Sequence, residues 1–394
     1  MRVELPRLDV LLYAHDGRGL GHAGRSIAIG MAIRRCYPGL RVLFVSGCTL
    51  AGELIGNTSL DWLKLPAYKT EVVAGRSRGV DGNSGFSDHD LGLFRGLQLR
   101  DLIRLYRPRM VVCDHSPQGK HKEMIPALEA TSAEDTRWVL GVRGVVGGVP
   151  QASSGLAREL FAKHYHGLLW YGDSEVLGTD NLEELGSFYG MQPLECGYVS
   201  RLGEVCLRTG AGRQDRKRYC CTVSIPWLGE QSFPFVSELA KALADIGPDY
   251  GLWRLFIDFG EASAGDRVQN LFLPLSHCRV EPPSGHAYVE ALLNSETALI
   301  YGGYNSLADV LRCAIPALVV LREMKDNEQQ IHVQRLLTHS GQLRTISESD
   351  ARSEQIRSLF FEILHSSFVE ESKVNMNGAK NSADYIAALL GSTK

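Results

Sequence analysis

The feature that most constrains the fold is an alternation of short apolar runs with helical patterns along the whole chain. Strands that alternate with helices form parallel sheets joined by right-handed crossovers. The sequence therefore predicts two α/β domains of similar size. The predicted strands are residues 8–13, 41–45, 110–113, 138–142, 167–171 and 194–198 in a first series, and 219–225, 253–259, 277–280, 298–301 and 317–321 in a second.

The alternation is interrupted once, and the interruption marks the predicted domain boundary. Residues 203–218 contain a basic cluster and little apolar periodicity, which is typical of a linker. We therefore predict domains at 1–202 and 219–394. The length of 394 residues agrees with two domains, because a domain usually holds about 100–200 residues.

The composition excludes several classes of function. The formal net charge is −3 and only 8% of residues are aromatic, which argues against a nucleic-acid-binding protein. The nine cysteines are odd in number and lack C-x-x-C spacing, which indicates reduced thiols in a cytoplasmic protein. We expect no signal peptide and no transmembrane segment, because no apolar stretch is long enough. Peripheral membrane contact and a homodimer both stay open.

Glycine is enriched, at 41 of 394 residues, and part of the excess follows predicted strands. Gly17, Gly19, Gly21 and Gly24 follow the first strand and open a helix, where backbone N–H groups favour an anion. A nicotinamide dinucleotide is not expected, because no acidic residue ends the second strand. A tight turn that only packs the helix on the strand is the alternative. His22, at the helix start, is either a cap or a base.

A second motif, Asp114-His115, directly follows the predicted strand 110–113. An aspartate beside a histidine can orient the imidazole for proton abstraction. The alternative is an aspartate that caps the next turn beside a solvated histidine.

A third motif lies in the second domain. Gly302-Gly303 ends a strand and precedes a predicted helix that carries Asp309, which suits contact with a phosphate and then with ribose hydroxyls. Gln329-Gln330 open a later helix, where side-chain amides can donate to sugar hydroxyls or lie in solvent. Because the Gly302-Gly303 turn already suits a ligand, we interpret the side-chain amides of Gln329 and Gln330 as contacts to the same ligand.

Patterns for metal binding are weak. His164 and His166 lack a third ligand at a useful spacing, and the polar segment 87–90 is more typical of a lid than of a metal site. No Asp-x-Asp motif follows a predicted strand, so we expect a site without metal.

Taken in order, these motifs resemble those of GT-B glycosyltransferases. The chain is similar to the lipid-linked N-acetylglucosaminyltransferases of peptidoglycan synthesis and, more closely, to a bacterial group of predicted glycosyltransferases. The resemblance spans most of the chain. It rests on Gly19-Leu20-Gly21-His22, Asp114-His115 with Pro117 and Gly119, Leu140-Gly141-Val142-Arg143, Tyr171-Gly172-Asp173, Gly197-Tyr198-Val199, Gly302-Gly303-Tyr304-Asn305-Ser306 and Gln329-Gln330.

The resemblance implies two Rossmann-like domains that face a central cleft, with the donor held mainly by the C-terminal one. It implies a nucleotide-diphosphate sugar as co-substrate and no further cofactor. The implied donor-binding residues are Gly21, Arg201, Gly302, Gly303, Asn305, Ser306, Asp309, Gln329 and Gln330. The implied catalytic residues are His22, Asp114 and His115, and the acceptor-side residues are His15, Arg18 and Arg143.

Three positions depart from the family pattern. The segment Ser224–Glu230 holds one glycine where the family has a glycine-rich loop. Gly144-Val145 follows Arg143 where close relatives have Asp-Ile, so one acidic group is missing. Asp309 stands where the peptidoglycan enzymes commonly have a glutamate.

The predicted reaction is metal-independent transfer of a sugar to a small soluble acceptor of specialised metabolism. His22 is the first candidate for the base, and His115 oriented by Asp114 is the second. Arg201 and helix N-termini are expected to neutralise the leaving diphosphate. The segment 68–90 is polar and shows no obvious apolar membrane patch, which favours a soluble acceptor. The alternatives are a nucleotide-sugar 2-epimerase or hydrolase, and a non-catalytic nucleotide-sugar-binding protein.

Overall fold

The computed structural model describes residues 6–15, 20–73, 76–80, 84–131, 135–144, 154–209, 218–226, 228, 232–259, 262–283, 285–322, 327–365 and 373–391. The chain divides into two compact units. The first consists of residues 1–204 and 375–394, and the second of residues 205–374.

The first unit is built on a seven-stranded parallel sheet. Its strands, with one separate pair, are β1 (Val10–Ala14), β2 (Val42–Ser46), β3 (Asp61–Lys64), β4 (Lys69–Val73), β5 (Arg76–Val80), β6 (Met110–Asp114), β7 (Arg137–Arg143), β8 (Tyr165–Tyr171) and β9 (Leu194–Glu195). The order β3-β2-β1-β6-β7-β8-β9 reverses direction between β1 and β6, as in a doubly wound sheet. Every residue of β1, β2 and β6 is buried, which explains their continuous apolar sequence.

The segment 68–90, expected to be a polar loop, contains the antiparallel pair β4 and β5 outside the main sheet.

The helices up to the domain boundary are α1 (Gly21–Cys36), α2 (Ala51–Ile55), α3 (Asp88–Tyr106), α4 (Ile125–Ala130), α5 (Gly155–His164), α6 (Ser174–Leu177), α7 (Asp180–Tyr189) and α8 (Arg201–Thr209). Ser87 begins α3 as a cap, since its side chain accepts a 3.2 Å hydrogen bond from the backbone of Asp90.

The second unit has a six-stranded parallel sheet with the order β12-β11-β10-β13-β14-β15. Its strands are β10 (Tyr219–Ile225), β11 (Leu252–Ile257), β12 (Cys278–Glu281), β13 (Ser295–Tyr301), β14 (Ala317–Leu321) and β15 (Leu343–Ser347). Its helices are α9 (Phe233–Ile246), α10 (Ala262–Phe272), α11 (Gly285–Leu293), α12 (Tyr304–Arg312), α13 (Glu328–Leu337) and α14 (Ser353–His365). The strand order is that of a Rossmann fold, with the reversal between β10 and β13.

The last helix, α15 (Gly378–Leu390), returns to the first unit. The Asn381 amide donates to the carbonyl of Cys196 at 2.9 Å, and the Tyr37 hydroxyl donates to Asp384 at 2.8 Å. This differs from the predicted boundaries, which placed residues 375–394 in the second domain. Helical periodicity shows that a helix has an apolar face, but it does not show which sheet covers that face.

The predicted linker also differs in part from the structure. Helix α8 occupies residues 201–209, whereas residues 210–217 lie outside the described part of the chain. All nine cysteines lie within the described ranges, and none forms a disulfide. Among the described residues, no helix is long and apolar enough to cross a membrane.

Candidate functional site

The first cluster of polar residues lies where the sheet order of the first unit reverses. His15 directly follows β1, and Asp114 is the last residue of the neighbouring strand β6. Ligands of open parallel sheets bind beyond the carboxyl ends of the strands at this kind of reversal. The topology therefore brings together residues that are about one hundred positions apart in the sequence.

Asp114 accepts hydrogen bonds from two side chains near the start of α1, those of His22 and Arg25. His22 Nδ1 binds Asp114 Oδ2, and Arg25 Nη2 lies 2.8 Å from the same oxygen. Arg25 Nε lies 3.3 Å from Oδ1, so the guanidinium spans both carboxylate oxygens. The side chains of Arg25 and Asp114 are only 3% and 2% exposed, whereas that of His22 is 23% exposed. The ion pair is thus buried, and the imidazole reaches the surface.

These contacts assign the tautomer of His22. Arg25 Nη2 also lies 3.0 Å from His22 Nδ1, but an Nδ1 that donates its proton to Asp114 cannot accept a second hydrogen bond. The Asp114 carboxylate therefore accepts from both side chains. The Nδ1 proton leaves the lone pair on Nε2 of His22, which is the arrangement of an oriented general base.

His15 and His115 complete a group of three imidazoles around this carboxylate. The ring centroid of His22 is 4.1 Å from that of His15 and 5.1 Å from that of His115. Within the described ranges, Nδ1 of His15, Nδ1 of His115 and Oγ of Ser116 are buried without a hydrogen-bond partner. Buried polar groups are normally paired, so these three atoms are available to a ligand.

The imidazoles are uncharged at neutral pH. The pKa of His115 is lowered to about 3, mainly by burial and additionally by repulsion from His22 in its protonated form, while Asp114 opposes the shift. Burial likewise lowers the pKa of His22, and Asp114 opposes this shift without reversing it. Burial alone would raise the pKa of Asp114, but Arg25 and His22 bring it below its ordinary value. The carboxylate is therefore ionised while the base is neutral.

The strands β6 and β7 position His115 and Arg143. The backbone N–H of His115 donates to the Gly141 carbonyl at 2.7 Å, and His115 has the left-handed φ of 79°. A Cβ atom at Gly141 would clash with the buried ring of Tyr171, so a larger residue there would require Tyr171 to move. Arg143 ends β7, and its charge contributes to the lowered pKa of both His22 and His115.

The structure thus brings together five predicted residues: His15, His22, Asp114, His115 and Arg143. It does not form the predicted pair of Asp114 with His115, because the carboxylate binds His22 and Arg25, and Nδ1 of His115 has no hydrogen-bond partner. Arg18 lies outside the described residues. Arg201, predicted to bind the donor, begins α8 and donates from Nη1 to the Leu54 carbonyl at 3.1 Å.

Sequence reasoning missed Arg25. Arg25 follows His22 by three positions, which places both side chains on one face of α1 next to Asp114. A buried arginine requires an acidic partner, but its burial is visible only in the tertiary structure.

A second group of predicted residues lies at the corresponding reversal of the second unit. Gly302 and Gly303 link β13 to α12, and no side chain caps this helix or adds an acid to its first turn. A side chain at Gly302 would lie 3.2 Å from Val333 and 3.3 Å from Leu321, so Gly302 permits close packing. At Gly303 nothing lies within 4 Å, which leaves space for a ligand to approach the backbone.

The remaining predicted donor residues differ in exposure. Asn305 and Ser306 are half-buried in the first turn of α12, and Gly21 is the half-buried first residue of α1. Asp309 is buried on α12, with 8% exposure. Gln329 is half-buried and Gln330 exposed in the first turn of α13.

A network at the strand ends of the second unit also escaped prediction. Arg322, directly after β14, donates from Nε to Glu348 at 2.8 Å and from Nη2 to Ser232 Oγ at 3.0 Å. The Tyr301 hydroxyl donates to the same carboxylate at 2.6 Å. Burial raises the pKa of Glu348, but these contacts bring it below the usual value. Arg322 Nη2 also lies 3.4 Å from the carbonyl oxygen of Pro226, which belongs to the predicted segment Ser224–Glu230. Residues 227 and 229–230 of that segment lie outside the described ranges.

The surface at the start of α3 is more apolar than the sequence suggested. Phe86, Leu93, Phe94 and Leu97 are 44%, 60%, 49% and 45% exposed. The rings of Phe86 and Phe94 lie 5.0 Å apart. Only Phe86 belongs to the segment 68–90, for which no apolar patch was expected, whereas Leu93, Phe94 and Leu97 follow that segment on α3.

In the described part of the chain, no group of three or more His, Cys, Asp or Glu side chains has the geometry of a metal site. This includes the three imidazoles, which pack against one another as rings.

Comparison with known proteins gives the fold. No protein-family model matches the chain, and no curated protein sequence matches it. Solved structures do: MurG of Acinetobacter baumannii has a TM-score of 0.54 at 12% identity, covering 98% of this chain and 99% of that one. A UDP-GlcNAc 2-epimerase of Methanocaldococcus jannaschii has a TM-score of 0.62 at 11% identity, with 98% and 99% covered. A UDP-GlcNAc 2-epimerase of Neisseria meningitidis, bound to UDP-GlcNAc, has a TM-score of 0.60 at 10% identity, with 97% and 99% covered.

These similarities confirm the predicted GT-B fold with two Rossmann-like domains. At 10–12% identity they establish the fold alone. The structures that share it include both a glycosyltransferase and epimerases of nucleotide sugars.

Replacement of Arg25 tests the electrostatics of this site. In Arg25→Gln, we expect the pKa of His22 to rise, because the guanidinium charge that lowers it is lost and Asp114 acts on the imidazole alone. NMR titration of the imidazole resonances measures the shift. Arg41→Gln is the matched control, since Arg41 pairs with Asp9 at the start of β2 and should leave His22 unchanged. A His22 pKa that is unchanged or lower in Arg25→Gln would contradict the assignment.

Proposed function

We propose that the protein is a glycosyltransferase that moves a sugar from a nucleotide-diphosphate donor to a small-molecule acceptor. The observation that carries the proposal is the contact of His22 with Asp114 and Arg25 at the reversal of the first sheet. A neutral, oriented imidazole beside unpaired polar atoms suits the activation of an acceptor hydroxyl. The GT-B fold supports the same class of chemistry.

In the proposed reaction, Nε2 of His22 takes the proton of the acceptor nucleophile as that nucleophile attacks the anomeric carbon. The bond from the anomeric carbon to the diphosphate oxygen breaks, and the nucleotide diphosphate leaves. Asp114 stabilises the imidazolium that forms, and Arg25 keeps Asp114 ionised throughout. The positive charge of His22 is thus offset by a carboxylate at hydrogen-bond distance.

On the donor side, we propose that the diphosphate lies at the start of α12. The N–H groups there have no side-chain cap, and their dipole favours an anion. Asp309, one to two turns further along the helix, is proposed to bind ribose hydroxyls. Stabilisation by backbone N–H groups needs no metal ion, so we propose a metal-independent reaction.

A nucleotide-sugar 2-epimerase is the second candidate. The 2-epimerases reported above have TM-scores of 0.60 and 0.62, against 0.54 for the glycosyltransferase. Epimerisation requires carboxylates that converge on the sugar. Asp114 is already held by His22 and Arg25, and it is the carboxylate that acts most strongly on the three imidazoles. This favours transfer with a single imidazole base.

The experiment that tests the function is a turnover assay with UDP-, GDP-, TDP- and ADP-linked sugars and a panel of hydroxylated acceptors, analysed by mass spectrometry. We expect acceptor-dependent release of the nucleotide diphosphate, unchanged by EDTA. A strict need for Mg²⁺ would contradict metal independence. Donor consumption without acceptor, giving the 2-epimer or free sugar, would replace the proposal by the epimerase or hydrolase. Donor binding without any turnover would indicate a binding protein.

The acceptor is proposed to be soluble. The exposed apolar side chains at the start of α3 would instead suit contact with a membrane that carries the acceptor. The acceptor panel should therefore include a lipid-linked sugar in vesicles. Turnover that is confined to the vesicle-borne acceptor, together with loss of vesicle binding in Leu93→Ser, would show that the acceptor is membrane-bound.

Replacement of the proposed base should remove most of the activity. We expect His22→Gln to lower kcat about 10²–10⁴-fold, the usual contribution of a general base. Because the neutral form is active and burial lowers the His22 pKa, the wild-type rate should fall only below about pH 6.5, the ordinary value for histidine. Steady-state kinetics from pH 4.5 to 9, approximate bounds that bracket this value, measure both effects. His339→Gln, at a half-buried position after α13 in the second unit, is the control. Equal losses in the two variants would exclude His22 as the base.

Replacement of Asp309 tests the donor site. We expect Asp309→Asn to weaken donor binding about 10- to 100-fold, the effect of losing a charge-assisted hydrogen bond of about 1.5–3 kcal/mol. The rise of the thermal midpoint with donor should shrink accordingly, because that rise follows mass action. Asp245→Asn removes an exposed carboxylate of the same unit and should not change the rise. An undiminished rise in Asp309→Asn would show that the donor binds elsewhere.

A further inference from the structure

Two cysteines of the second unit are close in space although they are 107 positions apart. Cys206 lies on α8, Cys313 follows the last residue of α12, and their Sγ atoms are 4.0 Å apart. Both side chains are half-buried, so a small reagent can reach them from solvent. The backbone N–H of Cys313 donates to the Asp309 carbonyl at 3.1 Å, which holds Cys313 at the end of α12.

We propose that Cys206 and Cys313 form a dithiol site that a low-molecular-weight disulfide oxidises to an intramolecular disulfide. A disulfide joins sulfur atoms about 2.05 Å apart, so the two sulfurs must approach by about 2 Å. We expect rotation of the two half-buried side chains to supply this movement.

The reaction is a double thiol–disulfide exchange. The Cys206 thiolate attacks one sulfur of glutathione disulfide, and the first glutathione leaves as its thiolate. The Cys313 thiolate then attacks the Cys206 sulfur of this mixed disulfide and releases the second glutathione. The two protons of the cysteine thiols pass to the two glutathiones, so the protein loses two electrons and one glutathione disulfide gains them.

The surroundings favour Cys206 as the attacking thiol. The hydrogen bond from Cys313 lowers the pKa of Cys206, burial raises it, and the charge of Arg312 contributes to the net decrease. By contrast, burial raises the pKa of Cys220 and of Cys278 to about 12. Because the thiolate is the reacting form, Cys206 should react before these cysteines. The contact with Cys206 and burial raise the pKa of Cys313, so Cys313 is the second thiol to react, after Cys206 has entered the mixed disulfide.

The bond would close a loop that contains β10 through β13 and would fix the end of α12 to α8. Closing a long loop restricts the unfolded chain, so oxidation should stabilise the second unit. Any effect on donor affinity rests on the proposed function, because α12 carries Asp309. The test therefore detects the bond itself and does not depend on turnover.

The experiment treats the folded full chain with glutathione disulfide, alkylates the remaining thiols and digests the product with trypsin. Cleavage after Arg201, Arg208, Arg312 and Arg322 places the two cysteines in the peptides 202–208 and 313–322. We expect these two peptides to be linked in most molecules. We also expect the thermal midpoint to rise by several degrees and to return after reduction with dithiothreitol.

Cys206→Ser and Cys313→Ser should each abolish the link and the rise, whereas Cys278→Ser, in another half-buried position, should retain both. A glutathione adduct on Cys206 without linked peptides would overturn the proposal, and so would a folded wild-type protein whose thiols at 206 and 313 remain unmodified. Linked peptides without a rise in the midpoint would still establish the bond and would refute only its stabilising effect.

Discussion

Parallel strand pairing is the constraint on which the rest of the structure depends. A parallel strand cannot be joined to its neighbour by a hairpin, so each connection crosses over and returns to the same edge of the sheet. The carboxyl ends of β1, β6 and β7 therefore lie side by side, followed or ended by His15, Asp114 and Arg143. In the second unit the same constraint places the ends of β13 and β14 side by side, and these strands are followed by Gly302 and Arg322. The sheet topology therefore determines where both groups of polar residues lie, whatever their side-chain chemistry.

Within the first unit, the buried charge of Asp114 governs the chemistry. An ionised carboxylate in a buried position is costly unless it is paired and hydrogen-bonded. Arg25 neutralises it, and His22 uses the same carboxylate to fix its tautomer. One ion pair, Arg25 with Asp114, thus joins the N-terminal part of α1 to the end of β6, and the same carboxylate orients the imidazole for proton transfer. His115, with its left-handed backbone, lies with its ring 5.1 Å from that of His22, and its Nδ1 is buried without a hydrogen-bond partner.

Much of the fold was predictable because buried parallel strands have a strong sequence signal. The strands 219–225 and 317–321 were predicted with the bounds that the structure shows, and 110–113 was one residue short. The strands that escaped prediction, β3 and β15, are edge strands with several half-exposed residues, so they lack a continuous apolar run. Hairpin strands β4 and β5 escaped for the related reason that their sequence is polar.

The sequence by itself determined the alternation of strands and helices, the glycines at the strand ends and the residue types that follow those strands, because each depends on neighbours within one element. Only the tertiary structure decided the contacts between elements. It paired Asp114 with His22 and Arg25 instead of His115, linked Arg322 to Glu348, and placed α15 on the first unit. These contacts depend on which helix packs on which sheet and on which oppositely charged side chain lies next to each buried charge. A local pattern contains neither piece of information.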